Sequence, residues 1–381
     1  VGTAPAVAQP GAGRENSDVR TVGVEEELLL VDPESGEPRA LAAAVLARAA
    51  HGAGGGDDVF EKELQSQMLE FATHPQSDME ALGAEILRCR KEAARHAGDV
   101  GAVVAALATS PLPVTPQLTV ESRYQWMAEE FGLLPREQLV CGCHVHVSVD
   151  SDDEAVAVLD RVRPWLPVLT ALSANSPFWQ GKDSRYASYR SRVWARWPMA
   201  GPTALFGSAE KYHRLVGDMV ATGVLRDEGM VYFDARLSRT YPTVEIRVSD
   251  VCLDASTTVL VATLARGLVE TAAREAAAGV EPVPHDVSLM RLAAWRAARS
   301  GAEGELLDPV TMRPRPVADV VGALLDHVGA ALEETGDAER ARRAAAGVLR
   351  EGNGAVVQRR LLEEKGSLGD VVAECVRRTQ G

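Results

Sequence analysis

The residues best placed to do chemistry lie in the stretch TVEIRVSD, residues 243–250 of a 381-residue chain. Alternation along a strand sends Val244, Ile246 and Val248 to one face and Thr243, Glu245, Arg247 and Ser249 to the other. One face is core, and the other offers a carboxylate beside a guanidinium. HVHVSV repeats the pattern, with Val145, Val147 and Val149 toward a core and His144, His146 and Ser148 away from it. In GVEEELLLV, Glu25 and Glu27 share a face, while Glu26 on the opposite face spoils the amphipathicity. Glu70 interrupts the apolar run of MLEFATHP, and Glu63 precedes it by seven residues. That odd separation puts the two on opposite faces of a regular strand, so their joint use requires a bulge or break between them.

If these strands pair in one sheet, their Glu, His and Arg side chains converge. Carboxylates held within ~4–6 Å of one another raise each other's pKa, so the cluster stays ionised only beside cations or arginines. Oxygen-rich ligation with one imidazole suits Mg2+ or Mn2+ better than a structural zinc. Plainer readings stay open: a Glu two residues from an Arg also describes a solvated strand face with a weak ion pair, and HxH an ordinary polar face. CGCHVH packs Cys141, Cys143, His144 and His146 into six residues, a zinc-like set. On a strand, however, the cysteines and histidines point to opposite faces. The loop GKDSRYASYRSRVWARWP holds Arg185, Arg190, Arg192 and Arg196 among Tyr186, Tyr189, Trp194 and Trp197. Such a loop suits stacked bases, a triphosphate or a substrate carboxylate, or is simply solvated. No G-x-x-x-x-G-K-[ST] run, G-x-S-x-G elbow or H-E-x-x-H helix occurs, so nucleotide binding here does not use a P-loop.

The elements that position these groups follow from periodicity and turn chemistry. TVGVEEELLLVDPESGEPR predicts a first strand and hairpin, and HGAGGGDD a loop. Ser77 and Glu80 predict a capping box opening a helix to about Gly98. A helix over SDDEAVAVLDRVRPWLPVLTALSANSPF is expected to kink at Pro164 and Pro167. Ser208 to Thr222 and about Asp254 to Ala278 read as helices, VYFDARLSRTYPTVEIRVSD as two strands around LSRTYP, and the region beyond Gly279 as largely helical. Residues 1–20 are expected to be a flexible tail and 21–381 a single domain with a helical C-terminal layer.

Bulk properties narrow the function classes. A formal net charge of −14 argues against nucleic acid as a partner. Five cysteines, an odd number, suit a reducing compartment and a cytoplasmic protein. No apolar run reaches the ~18 residues of a membrane span, and no export signal is visible.

GVEEELLLVDP, MLEFATHP, HVHVSV, DSRYASYR and YFDARLSRTYPTVEIRVSD together give a sequence that resembles the type 2 glutamate cysteine ligases, or carboxylate-amine ligases, of the glutamine synthetase-like superfamily. The likeness runs from about Thr21 to the C-terminus. It implies an α+β fold, a curved antiparallel β-sheet of glutamine synthetase/glutamate cysteine ligase type with helices packed on its outer face. By the same resemblance Glu25, Glu27, Glu63, Glu70, His144 and Glu245 hold two or three Mg2+ ions, or Mn2+. Glu245 and Arg247 are the catalytic pair, with Arg247, Arg185 and Arg190 on ATP and Arg236, His146 and Arg190 on substrate. The sequence has YFDAR where many relatives are expected to carry a tryptophan before the aspartate. The implied reaction joins the γ-carboxylate of glutamate to an amine such as cysteine through an acyl phosphate, and a homodimer is the implied assembly. A metal-dependent hydrolase on the same carboxylates, or a non-catalytic nucleotide- or metal-binding regulator, are the competing readings.

Overall fold

The computed structural model describes residues 19–52 and 60–381. Most of the expected tail, and most of the HGAGGGDD loop, lie outside the described residues. In chain order the described strands are β1 (Val22–Val31), β2 (Phe60–Lys62), β3 (Met68–Ala72), β4 (Val103–Ala105), β5 (Gly142–Ser148), β6 (Phe178–Trp179), β7 (Lys182–Asp183), β8 (Ala235–Leu237), β9 (Thr243–Asp250), β10 (Glu305–Leu307) and β11 (Pro314–Pro316). Seven of them form one sheet in the order β2-β3-β1-β5-β9-β8, with β4 also on β1. Every pairing in it is antiparallel.

Alternation decides which side of this sheet is buried. Val22, Val24, Leu28, Leu30, Val145, Val147, Val244 and Ile246 are almost completely buried. Against that face pack the helices Met79–Gly98, Asp152–Val162, Leu166–Ser173 and Ala255–Ala277, and the last is covered in turn by helices Gly329–Glu334 and Ala338–Glu351. The expected helix beginning at Ser151 is interrupted, as its prolines require, by a tight turn at Arg163–Trp165. The helix Met79–Gly98 differs from expectation at its start. Asp78, not Ser77, caps it, its carboxylate accepting from the Glu80 and Ala81 amides at 2.8 and 2.7 Å.

Glu26 has a structural explanation. It is fully buried on the helix-covered face, where Arg90 of the helix Met79–Gly98 donates to its two carboxylate oxygens at 2.7 and 2.8 Å and Thr258 donates a third bond at 2.6 Å. Arg90 also donates to the carbonyls of Cys252 and Leu253. Among the described residues no helix is long and apolar enough to cross a membrane.

Candidate active site

Register, more than any single motif, builds the site. Glu25 lies opposite His144 and Glu27 opposite Glu70, while Glu245 lies opposite both His146 and Arg236. Directly opposed residues of antiparallel strands hold their Cβ atoms about 4.5–5.5 Å apart. Five strands therefore place one row of polar side chains across the face turned away from the four core helices. Glu63 follows β2 in the turn leading to β3, and that turn supplies the break its spacing with Glu70 demanded.

These groups line a cavity of about 630 Å³. Its walls include Arg123, Tyr124 and Met127, the rings of Trp194, Trp197 and Tyr232, and the turn Ser238–Tyr241. Three overlapping ligand sets occur on its floor: Glu25, His146 and Glu245; Glu25, Glu70 and His144; and Glu27, Glu63 and Glu70. In each set one ligand atom per residue lies within 4.8 Å of the others.

The carboxylates divide by their neighbours. Burial acts to raise Glu25, yet hydrogen bonding to His144 and His146 holds it well below the usual range. Burial likewise opposes ionisation of Glu245, but Arg247 and Arg236 overcome it and hold the group down to about 2. Arg236 donates to Glu245 through Nε at 2.7 Å and Nη2 at 3.1 Å, and Arg247 donates to the same carboxylate. At the other end burial and the Glu63 charge push Glu27 up to about 7, and burial with Glu63 and Glu25 pushes Glu70 well above its ordinary value. Burial and the Arg247 charge pull His144 down to about 4, leaving its imidazole neutral and fit to ligate. His146 is raised against the cost of burial by Glu25, and its Nδ1 lies 3.0 Å from Thr243 Oγ1.

This donor set fits divalent cations. Glu27, Glu63 and Glu70 crowd one another, and among the described residues no arginine or lysine donates to any of the three. Bound cations would remove the repulsion that drives their pKa values up.

Of the arginines expected here, Arg236 and Arg247 reach the main cavity. Arg190 lies just behind Glu27, lines an adjoining cavity with Arg247, and packs over Trp194. Gly142 makes room for it, since a Cβ there would collide with the Arg190 guanidinium. Arg185 is not brought to either cavity. It is exposed, with a φ of 65°, and its amide donates to Asp183. Arg196 is exposed and pairs with Glu137. Cys141 and Cys143 are buried in the hydrophobic core, so no cluster of them with His144 and His146 forms.

Some cavity residues carried no legible signal in the sequence. Gln138 is buried against the main cavity, and both polar atoms of its amide lack a hydrogen-bond partner. A lone glutamine ahead of a strand has no spacing to betray it. Tyr232 stands 4.8 Å from the Trp194 ring and 5.7 Å from Trp197, a wall assembled from two separate segments.

Comparison with known proteins gives the family and the fold. The glutamate-cysteine ligase family 2 (GCS2) matches residues 21–374. A relative from Streptomyces avermitilis, "Putative glutamate--cysteine ligase 2-1", is 70% identical over 363 residues, covering 95% of this chain and 100% of the relative. Another from Frankia alni, "Putative glutamate--cysteine ligase 2-2", is 48% identical over 373 residues, covering 95% and 97%. Among solved structures, a glutamate-cysteine ligase from Francisella tularensis in complex with AMP superposes with a TM-score of 0.68 at 13% identity, covering 95% of this chain and 88% of that one. A bifunctional glutathione synthetase from Pasteurella multocida gives 0.70 at 15% identity, covering 95% of this chain and 52% of that one. At such identities the two structures establish the shared fold: an antiparallel sheet with helices on its outer face, as in carbon–nitrogen ligases. The chain belongs to glutamate-cysteine ligase family 2. It is a carboxylate–amine ligase acting on small molecules.

Proposed function

We propose that this ligase is ATP-dependent and joins the γ-carboxylate of glutamate to an amine such as cysteine through an acyl phosphate, with two or three Mg2+ ions, or Mn2+, at Glu25, Glu27, Glu63, Glu70, His144 and Glu245. The observation that carries the reading is the row of three interlocking ligand sets, one end of which leaves half-buried carboxylates to which no arginine or lysine among the described residues donates. The AMP held by the Francisella relative supports a nucleotide on this fold.

In this reaction a carboxylate oxygen attacks the γ-phosphorus as the bond to ADP breaks. The amine nitrogen then attacks the acyl carbon, the carbon–oxygen bond to phosphate breaks, phosphate leaves, and the surplus proton passes to solvent. Bound divalent cations supply charge neutralisation at the phosphoryl group and alignment of the reacting oxygens. Arg247 spreads the remaining negative charge, and its bond to Glu245 fixes where its guanidinium stands. Arg236 is anchored by the Gly229 and Val231 carbonyls at 3.2 and 2.8 Å, which aims it at the cavity and suits it to a substrate carboxylate. His146, beside Glu25, and Arg190, behind Glu27, complete the substrate-binding set. We place the enzyme in the cytoplasm, working as one catalytic unit over residues 21–381 and pairing as a homodimer.

The test is hydroxylamine trapping. Enzyme, ATP, Mg2+, glutamate and hydroxylamine should yield γ-glutamyl hydroxamate and ADP in equal amounts. No hydroxamate with glutamate or a panel of other carboxylates would sink the proposal.

A further inference from the structure

The guanidinium of Arg190 lines the adjoining cavity beside Arg247 and occupies the space a Cβ on Gly142 would need. Among the described residues it makes no hydrogen bond or ion pair, and its buried Nε lacks a partner. Two buried carboxylates, Glu27 and Asp250, feel its charge without bonding to it. Apart from its packing over Trp194, the place of this guanidinium is therefore set by the backbone that carries it.

That backbone is tied to Asp250, the fully buried last residue of β9, the strand of Glu245 and Arg247. The Asp250 carboxylate accepts from the Ser176 hydroxyl at 2.7 Å, the Ser188 hydroxyl at 2.8 Å and the Asn175 amide at 2.8 Å. Ser176 Oγ in turn accepts the Arg190 amide at 2.9 Å, and Ser188 Oγ the Ser191 amide at 3.4 Å. The Ser176 carbonyl accepts the Tyr189 amide at 3.1 Å. Through two serines, one carboxylate grips Tyr189, Arg190 and Ser191. Unlike Glu26, Asp250 receives no bond from an arginine or lysine among the described residues, so its whole capacity goes to this clasp. The far side of the clasp comes from the C-terminal layer. Gln358, on the helix Gly354–Lys365, donates to the Asn175 carbonyl at 3.0 Å and to its side-chain oxygen at 2.7 Å. Gly354 packs so closely that a Cβ there would overlap the Asn175 amide.

Resting on the ligase reading, we propose that Asp250 is a positioning residue for Arg190, and that the C-terminal helix Gly354–Lys365 shares this task through Gln358 and Asn175. Arg190 meets the substrate, and Asp250 and Gln358 act through it. Groups in one buried hydrogen-bonded network are coupled, so loosening one bond shifts the others. A guanidinium with no bond of its own follows any shift of its backbone, and displacement of about 1 Å at a binding group is enough to cost up to about 100-fold. The C-terminal layer is thereby part of the machinery that holds the site, although none of its residues lines either cavity.

The experiment is a double-mutant cycle on the full chain, read as glutamate KM and kcat in ATP-dependent hydroxamate formation. Asp250→Asn, whose amide cannot accept all three bonds, should raise the glutamate KM about tenfold while kcat stays within about threefold of the wild type. Ser176→Ala removes two links of the clasp and serves where Asp250→Asn does not fold. It and Gln358→Leu should each raise that KM about three- to tenfold. In an Arg190→Ala background, itself weaker for glutamate, the same three changes should shift KM by no more than about twofold. Losses of equal size with and without Arg190 would overturn the proposal, because the network would then serve the fold at large. So would an unchanged glutamate KM in Asp250→Asn and Ser176→Ala, and an unchanged KM in Gln358→Leu would overturn the part given to the C-terminal helix. Absence of hydroxamate in the wild-type enzyme removes the ligase reading and this inference together, whereas normal wild-type hydroxamate with additive losses removes this inference alone.

Discussion

The two faces of β1 bury charge in opposite ways. On the helix-covered face Glu26 is matched by Arg90 and Thr258, so the protein supplies every partner the carboxylate needs. On the open face Glu27 accepts the Gly142 amide but is pressed by Glu63, and its charge is answered only at a distance by Arg190 and Arg247. Adjacent residues of one strand thus show the difference between a charge that ties elements together and a charge that waits for a ligand. The lesson is to ask of a buried carboxylate where its countercharge comes from.

The comparison breaks most severely at the paired face. Arg90→Ala leaves Glu26 buried without its countercharge and should cost about 3–5 kcal/mol, read as a lowered denaturation midpoint that Mg2+ does not restore. On the open face, Glu245→Gln should lower amide formation by about 100-fold or more while the denaturation midpoint stays near that of the wild type. Turnover close to normal would dismiss Glu245 from the reaction.

A smaller effect distinguishes the faces by pH. Glu27 is raised from 4.5 to about 7 in the ion-free protein, so its contribution to stability is full below 4.5 and is lost as pH rises through 7. Glu70 acts in the same sense. His144, lowered from 6.5 to about 4, acts oppositely only below 6.5. In chelator, Tm should therefore fall between pH 6.5 and about 8.5, and added Mg2+ should raise Tm more at the higher pH. Equal stabilisation by Mg2+ at both would contradict the assignment of cations to Glu27 and Glu70. The smallest effect belongs to an exposed pair: Glu92→Gln, which breaks the Arg88–Glu92 contact, should shift stability by no more than about 0.5 kcal/mol.

Much of the open face was legible because alternation is strict. In β9 and β5 it separated Glu245, Arg247, His144 and His146 from the valines, and in β1 it grouped Glu25 with Glu27. Glu63 was legible only as a requirement for a break, which the turn between β2 and β3 supplies. Arg185 and Arg190 looked alike in one basic loop, yet a left-handed residue and an exposed edge separate Arg185 from the cavity that Arg190 lines. Gln138 had no neighbours of similar chemistry to mark it.

Taken alone, the chain's order of residues determined which side chains share a face of each strand, because that depends only on a two-residue period along the backbone. It also determined where prolines interrupt a helix, because the missing N–H and the ring act locally. Tertiary structure decided which faces meet. Register set Glu27 against Glu70 and His146 against Glu245, and helix packing gave Glu26 its arginine. Those outcomes depend on contacts between segments 43 to 99 residues apart, and no local period encodes them.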